Sequence, residues 1–409
     1  MQLRFSLALA LAACLAALGR SVAAAQAETA PRAEITAGSS IFHESGGPLH
    51  MTVITPEVAA DVAVTNGVSV NAGWTADIVS GASVAVVDAP AGSVDAISGA
   101  SVHDVRHVLG GGVKVQDGQS SLAGGYHYGT ENDYRSNSFD VGARTELFER
   151  NTALELTYAR AFDRVCDGPN AAEAVLKTRL DNSDGCFNSA RTDRHSRALG
   201  MQTFQGAWTQ QWTPVLSVQT VATAQMLHGF QANPYRAVRI GRTAAQEHHP
   251  NERARYSVGV GLRIWIEPLS GALQPQLRVY RDTWDIQSAS GELGYEQTLG
   301  HGLRFRARAR YYLQSGAAFY SDDYVLAPKG QYFTGDRELS PMRSALLGGR
   351  FTWSVPENAE GEVLGLLSGL DIVLGADLLK SWFDHFHYDR AKVPNTMALF
   401  GSLSVLAAF

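Results

Sequence analysis

Two short stretches carry residue types and a spacing that invite chemistry. Asp77-Ile-Val-Ser-Gly-Ala-Ser83 and Asp95-Ala-Ile-Ser-Gly-Ala-Ser101 share the pattern D-x-x-S-G-A-S, offset by eighteen residues. From average residue usage, one such match is expected by chance in fewer than about one in a hundred chains this long. A single duplication would supply the second copy. Ser83 and Ser101 end the copies with a hydroxyl to which a group can be attached. Gly and Ala beside each hydroxyl leave room for a bulky partner, and Gly tolerates unusual backbone angles. Asp77 and Asp95 can bind a metal ion or nearby backbone amides. The plain alternative is a flexible turn that ends a strand, twice over. Both readings stay open here.

A second concentration of chemistry is cationic. Arg304, Arg306, Arg308 and Arg310 alternate with Phe305, Ala307 and Ala309, so an extended chain puts four guanidiniums on one face. Arg144, Arg263, Arg278 and Arg350 are candidates to join them. Asp77, Asp140, Glu146, Glu155, Glu296, Asp371 and Asp377 are candidate partners. A mutually satisfied ionic network is one outcome. An anion-preferring lining, or one that holds phosphates by charge-assisted bonds, is the other. Histidines offer less: Asp384-His-Phe-His387 with Asp389, and His248-His249, read as solvated loop residues rather than a metal site. No motif brings Ser and His together for hydrolysis, so an enzyme is not expected.

These residues must be positioned by strands. Val68, Val70, Ala72, Trp74, Ala76 and Ile78 alternate with polar or small residues. Tyr256 to Ile266 and Leu303 to Tyr311 do the same, which is the mark of a strand with two different faces. No apolar run beyond the leader reaches the length of a membrane-spanning helix. Long alternating strands in an exported chain predict an all-β transmembrane antiparallel barrel, apolar outside and polar within. Lipid forces closure, because an open sheet edge leaves amides unsatisfied in hydrocarbon. The arginines then face the lumen. Leu399, Gly401, Leu403, Val405, Ala407 and Phe409 alternate to the last residue.

The turns set the strand count. Short connections are expected at Asn66-Gly67, Asp117-Gly118, Glu149-Arg150-Asn151, Thr213-Pro214, Glu267 to Gly271, Leu299 to Gly302 and Pro356 to Gly365. Asn-Gly and Asp-Gly suit hairpin turns whose central residues need positive φ. Longer connections alternate with them at 80–102, 129–135, 163–195, 229–252, 286–289, 314–342 and 383–395. Counting from Met51 gives fifteen strands. An even number with a periplasmic start needs one more, which Arg32 to His43 can supply. The expectation is sixteen strands, with fourteen the alternative, and 80–102 as a motif-bearing loop or plug.

Export follows from the start of the chain. Arg4 and the apolar run Phe5 to Leu18 read as a secretory signal ending at Ala25-Gln26-Ala27. This makes 1–27 the signal peptide and 28–409 the barrel. Leu11-Ala-Ala-Cys14 is a rival lipoprotein-type box, disfavoured by the apolar Leu15 to Leu18 that follows it. Cys166 and Cys186 are then the remaining pair. An even pair in an oxidising compartment predicts a structural disulfide around the polar insert Asp167 to Gly185, contributing about 3 kcal/mol in the chain-entropy model. The chain has 409 residues, of which 18% are charged, and a net charge of -6. This mild acidity leaves no electrostatic footprint for nucleic acid.

Two resemblances sharpen the expectation. D-x-x-S-G-A-S resembles the target motif of bacterial flavin transferases, whose last hydroxyl, usually that of Thr, is esterified to the phosphate of FMN. That resemblance implies covalent FMN on Ser83 and Ser101, with Asp77 and Asp95 assisting. Met51-Thr-Val-Ile-Thr-Pro56, Gly73-Trp-Thr-Ala-Asp77, the S-G-A-S copies, His103-Asp-Val-Arg-His107 and Asp133-Tyr-Arg-Ser-Asn-Ser-Phe139 resemble a proteobacterial outer-membrane family, domain of unknown function 3570. It implies an outer-membrane location, a neighbouring flavin transferase and a small lipoprotein partner. His103 and His107 are then expected to orient the S-G-A-S segment. The terminal aromatic strand resembles the signal read by the outer-membrane assembly machinery. Two functions follow: a flavin-bearing barrel passing electrons outside the cytoplasm, or a porin-like transport barrel with a plug and an arginine-lined lumen. A purely structural partner of the lipoprotein is the third.

Overall fold

The computed structural model describes residues 33–46, 49–81, 103–131, 134–167, 187, 195–232, 237–240, 243–321, 324, 330–357, 361–388, 391–392 and 395–409. The expected signal peptide, Cys14, Ser83, Asp95, Ser101 and Cys186 lie outside these residues. Sixteen strands form one closed antiparallel barrel in which each strand pairs with its neighbour in sequence. They are β1 (Ala33–Gly46), β2 (Leu49–Thr65), β3 (Val68–Gly81), β4 (His103–Asp117), β5 (Ser120–Thr130), β6 (Tyr134–Leu147), β7 (Thr152–Asp167) and β8 (His195–Thr213). The second half comprises β9 (Leu216–Gly229), β10 (Glu252–Ile266), β11 (Gly271–Asp282), β12 (Gln287–Gly300), β13 (Leu303–Gln314), β14 (Met342–Ser354), β15 (Gly369–Trp382) and β16 (Thr396–Ala408).

Closure is made by β1, which pairs with β2 on one side and with β16 on the other. Ile41 stands opposite both Ile54 and Gly401, and the Phe409 amide donates to the Ala33 carbonyl at 2.9 Å. The sixteenth strand expected from parity is therefore present, running three residues beyond the anticipated His43. The wall follows the period-two pattern. Leu156, Leu277, Leu347 and Leu374 are each more than half exposed and point outward. Exposed apolar side chains along a closed wall are the signature of a barrel solvated by lipid. With the sixteen-strand closure, this makes the chain a bacterial outer-membrane β-barrel whose outer belt contacts membrane lipids.

One end of the barrel carries short turns and the other carries the long connections. At Asp117-Gly118 the turn needs left-handed backbone, and Gly118 supplies it with φ 55°. Phe148, Glu149 and Arg150 all adopt positive φ without glycine. One expected connection is displaced: residues 283–286 join β11 to β12, rather than 286–289. The displacement has a local cause, since Asp282 Oδ1 accepts from the amides of Trp284 and Ile286 and ties a tight turn there.

Cys166, at the long-connection end of β7, is buried and disulfide-bonded. With Cys186 as its expected partner, unreduced full-length protein should yield one linked peptide containing both cysteines, seen by mass spectrometry after proteolysis. Alkylation of both thiols without prior reduction would contradict this.

Candidate functional site

The lumen is where the polar faces of the strands converge. All four arginines of β13 alternate with outward Phe305, Ala307 and Ala309, and the strand lies between β12 and β14. Arg308 makes a bidentate pair with Asp377 of β15, at 2.9 and 2.7 Å. The two residues are not on adjacent strands. Gly348 of β14 stands between them, opposite Arg308 on one side and Asp377 on the other. A Cβ at Gly348 would lie 1.7 Å from Asp377 Oδ1, so only glycine lets the carboxylate cross. Gly348→Ala should separate the pair and destabilise the barrel by about 1–3 kcal/mol. A lowered temperature of gel-mobility conversion from folded to unfolded barrel checks this; an unchanged temperature contradicts it.

The same device recurs on the other side of the lumen. His127 Nε2 lies 3.1 Å from Asp140 Oδ1, and its ring passes over Gly110, where a Cβ would meet Nδ1 at 2.2 Å. At these two places the side chains lie along the wall over glycines.

The other expected partners are distributed as follows. Arg144 contacts Glu146 at 2.9 Å and Glu155 at 3.6 Å, and Arg263 contacts Glu296 at 3.2 Å. Arg306 reaches Glu292 only at 3.9 Å and stands directly opposite Arg350. Arg278 donates to Ser257 Oγ at 3.4 Å. Arg304 and Arg350 have no carboxylate partner among the described residues, and neither does Asp371 have a cation. The β10–β15 wall therefore carries guanidinium charge that its own acids do not cancel.

Asp77 is buried within β3 on the lumen face, where it accepts from Thr55 Oγ1 at 2.9 Å and stands opposite Arg106 of β4. The first D-x-x-S-G-A-S copy thus begins inside the wall, with its acid already engaged. The strand runs on to Gly81, and Ser83 follows outside the described residues. His107 does not face the lumen; it is exposed on the outer wall and stacks on Trp74 at 6.1 Å.

The outer mouth holds functional candidates that local motifs did not reveal. The segment between β13 and β14 crosses to β1, where Arg337 Nη2 donates to Glu44 Oε1 at 2.9 Å. Both side chains are nearly inaccessible, and the Arg337 guanidinium also lies 4.4 Å from the Phe383 ring. The same segment bridges the connection between β9 and β10. His248 and Phe333 exchange backbone hydrogen bonds, and Thr334 Oγ1 donates to Glu247 Oε2 at 2.8 Å. His249 was expected to be solvated, but it is buried against Trp284 and Phe319, with ring centroids at 5.2 and 5.6 Å. Two long connections are thereby locked to each other and to β1, forming a cap over part of the opening. His387 pairs through its backbone with Lys392, and Asp384 lies 3.6 Å from Arg343. Among the described residues no group of three His, Cys, Asp or Glu side chains is placed to hold a metal ion.

Comparison with other proteins adds a family and a fold likeness. The profile of a family described as "Protein of unknown function (DUF3570)" matches residues 6–364. No curated protein matches. Among solved structures, a bacterial polysaccharide outer membrane secretin is 10% identical, with 93% of this chain and 100% of that chain covered and a TM-score of 0.49. OccK2 (OpdF) of Pseudomonas aeruginosa, solved with glucuronate, is 11% identical over 92% of this chain and 98% of its own, with a TM-score of 0.41. The siderophore receptor PirA of Acinetobacter baumannii is 8% identical over 93% and 60%, with a TM-score of 0.45.

Proposed function

This chain belongs to the DUF3570 family, and from that premise we propose that it is a passive channel for small anionic solutes in the outer membrane. The observation that carries this reading is the unbalanced guanidinium wall, with Arg304 and Arg350 unpaired beside Arg306 among the described residues. Cations fixed at a low-dielectric wall raise the local concentration of anions and lower that of cations. In this reading the segment after Gly81 is a small-residue plug, the cap set by Arg337 narrows the mouth, and the chain has no catalytic centre. Handling by the outer-membrane assembly machinery and contact with a small lipoprotein belong to the same proposal. The test is ion conduction by purified protein in a planar bilayer under a salt gradient. A reversal potential of anion-selective sign supports it, and the absence of any conductance contradicts it.

A second reading rests on the repeated D-x-x-S-G-A-S. In it, Ser83 and Ser101 carry FMN through phosphoesters, donated by a periplasmic flavin transferase, and the barrel takes part in extracytoplasmic electron transfer. The engaged Asp77 fits poorly with an acid free to assist attachment, so the second copy, with Asp95 and Ser101, carries this reading. The two readings separate on a gel. Coexpressed with a flavin transferase, a flavin-bearing barrel keeps its fluorescence after denaturation, because a phosphoester survives unfolding. Each modified peptide gains the mass of FMN less water, and Ser83→Ala with Ser101→Ala abolishes the signal. The channel reading expects both peptides to stay unmodified.

A further inference from the structure

Outward-facing residues in the half of the wall nearest the long connections include a cluster that neither the lumen nor the cap uses. Arg135 of β6 and Arg164 of β7 stand directly opposite each other in the sheet. Both have the parity of Phe139 and Phe162, which are exposed to lipid. Arg160 shares this outer face, four residues before Arg164 on the same strand, or about 13 Å at the usual rise. Its guanidinium stacks 5.0 Å from the Phe162 ring and lies along β8, where a Cβ at Gly200 would be 3.9 Å from Nη2. Below it the wall is aromatic, with Tyr158 packed on Phe204 at 4.9 Å and beside Phe139 at 6.2 Å.

Among the described residues none of the three pairs with a carboxylate, in contrast to outward Arg343, which has Asp384 at 3.6 Å. Arg135 donates to the Phe187 carbonyl at 3.4 Å and lies 4.8 Å from that ring, and among the described residues the Nε atoms of Arg135 and Arg160 are buried without a hydrogen-bond acceptor. Like charges placed opposite each other in a sheet destabilise it. Arginine on a lipid-facing wall is also unfavourable unless it reaches the interface or an anion. Such a triad is stable when a ligand of high negative charge sits among the guanidiniums. Phosphate fits best, because it accepts bidentate bonds from several arginines at once. An acylated phosphate would lay its chains over the aromatic wall beneath.

Long connections mark the outward end of such barrels. We propose that Arg135, Arg160 and Arg164 form a docking site for the phosphorylated headgroup of an outer-leaflet glycolipid. The cluster faces the leaflet where that lipid resides, whereas phospholipid headgroups of the inner leaflet lie at the opposite rim.

The test uses the full-length barrel purified in mild detergent and examined by native mass spectrometry with added phosphorylated glycolipid. Wild type should retain a glycolipid adduct. Changing all three arginines to glutamine should lower retention by about tenfold or more, while heat-modifiable migration reports that the barrel is still folded. Changing them to lysine should restore part of the retention, and Arg343→Gln, already paired, should leave it unchanged. Dephosphorylated glycolipid should not be retained. Equal retention by the glutamine variant, equal retention of the dephosphorylated lipid, or preference for cardiolipin or inorganic phosphate would each overturn the proposal.

Discussion

Replacing both Arg304 and Arg350 with glutamate should change the sign of ion selectivity in a planar bilayer. Neither guanidinium has a carboxylate partner among the described residues, so each stands as a fixed charge on the lumen wall. A permeating ion about 6 Å from one such charge feels roughly 0.7 kcal/mol even at the dielectric constant of water. Reversing two charges therefore shifts the balance between anion and cation by a few kcal/mol before screening. At about 0.15 M salt the screening length is roughly 8 Å, so a change of about tenfold in permeability ratio remains. The shift should shrink as salt is raised, as a surface-charge effect must. Arg308→Gln makes the contrasting case. It frees Asp377 as well as removing a cation, so it should move selectivity in the same direction while also destabilising the wall. An unchanged reversal potential in the double glutamate variant would show that this wall does not face the permeation path. A wild type without any conductance would remove the channel reading itself.

The wall was legible in the sequence because lipid leaves it so little freedom. Arg304 to Arg310 against Phe305 to Ala309 can be satisfied only by one face inward and one outward, and β13 has that arrangement. Parity did the same for β1: an all-antiparallel closure needs an even count, so a weakly patterned segment near Ile35 and Ile41 was the candidate for the remaining strand. Partnership across the lumen was less legible. Arg308 and Asp377 were both candidates, but their meeting depends on Gly348, an unremarked glycine on the intervening strand. The cap was not legible at all. Arg337 and Glu44 are 293 residues apart, and nothing local in either segment signals the pairing. Loop length gave the sole hint, since residues 315–341 are more than a hairpin needs. His249 was misread for the same reason. Its neighbours suggested solvent, whereas Trp284 and Phe319 arrive from other connections to bury it.

Asp282→Ala should be the most destabilising single substitution near the mouth, by about 3–5 kcal/mol. Asp282 ends β11 and accepts from both Nε and Nη2 of Arg253, from Tyr280 Oη at 2.7 Å, and from the amides of Trp284 and Ile286, each at 3.0 Å. Its side chain is fully buried and that of Arg253 almost so. Removing the carboxylate leaves a desolvated guanidinium with the Trp284 ring, 4.0 Å away, as its remaining stabilising contact. It also releases two backbone donors, which untie the turn at 283–286. Trp284 packs on His249 and Phe319, so the loss should spread into the cap rather than stay at β11. The expected readout is a lower urea midpoint for the detergent-solubilised barrel, accompanied by noisier single-channel current. Asp282→Asn keeps the amide contacts but not the charge, and should fall between wild type and Asp282→Ala. The paired change Asp282→Ala with Arg253→Met should recover much of the loss, because no buried charge then remains. A cost below about 1 kcal/mol for Asp282→Ala, or a double variant no better than the single, would show that the buried pair is dispensable and that the cap is anchored elsewhere.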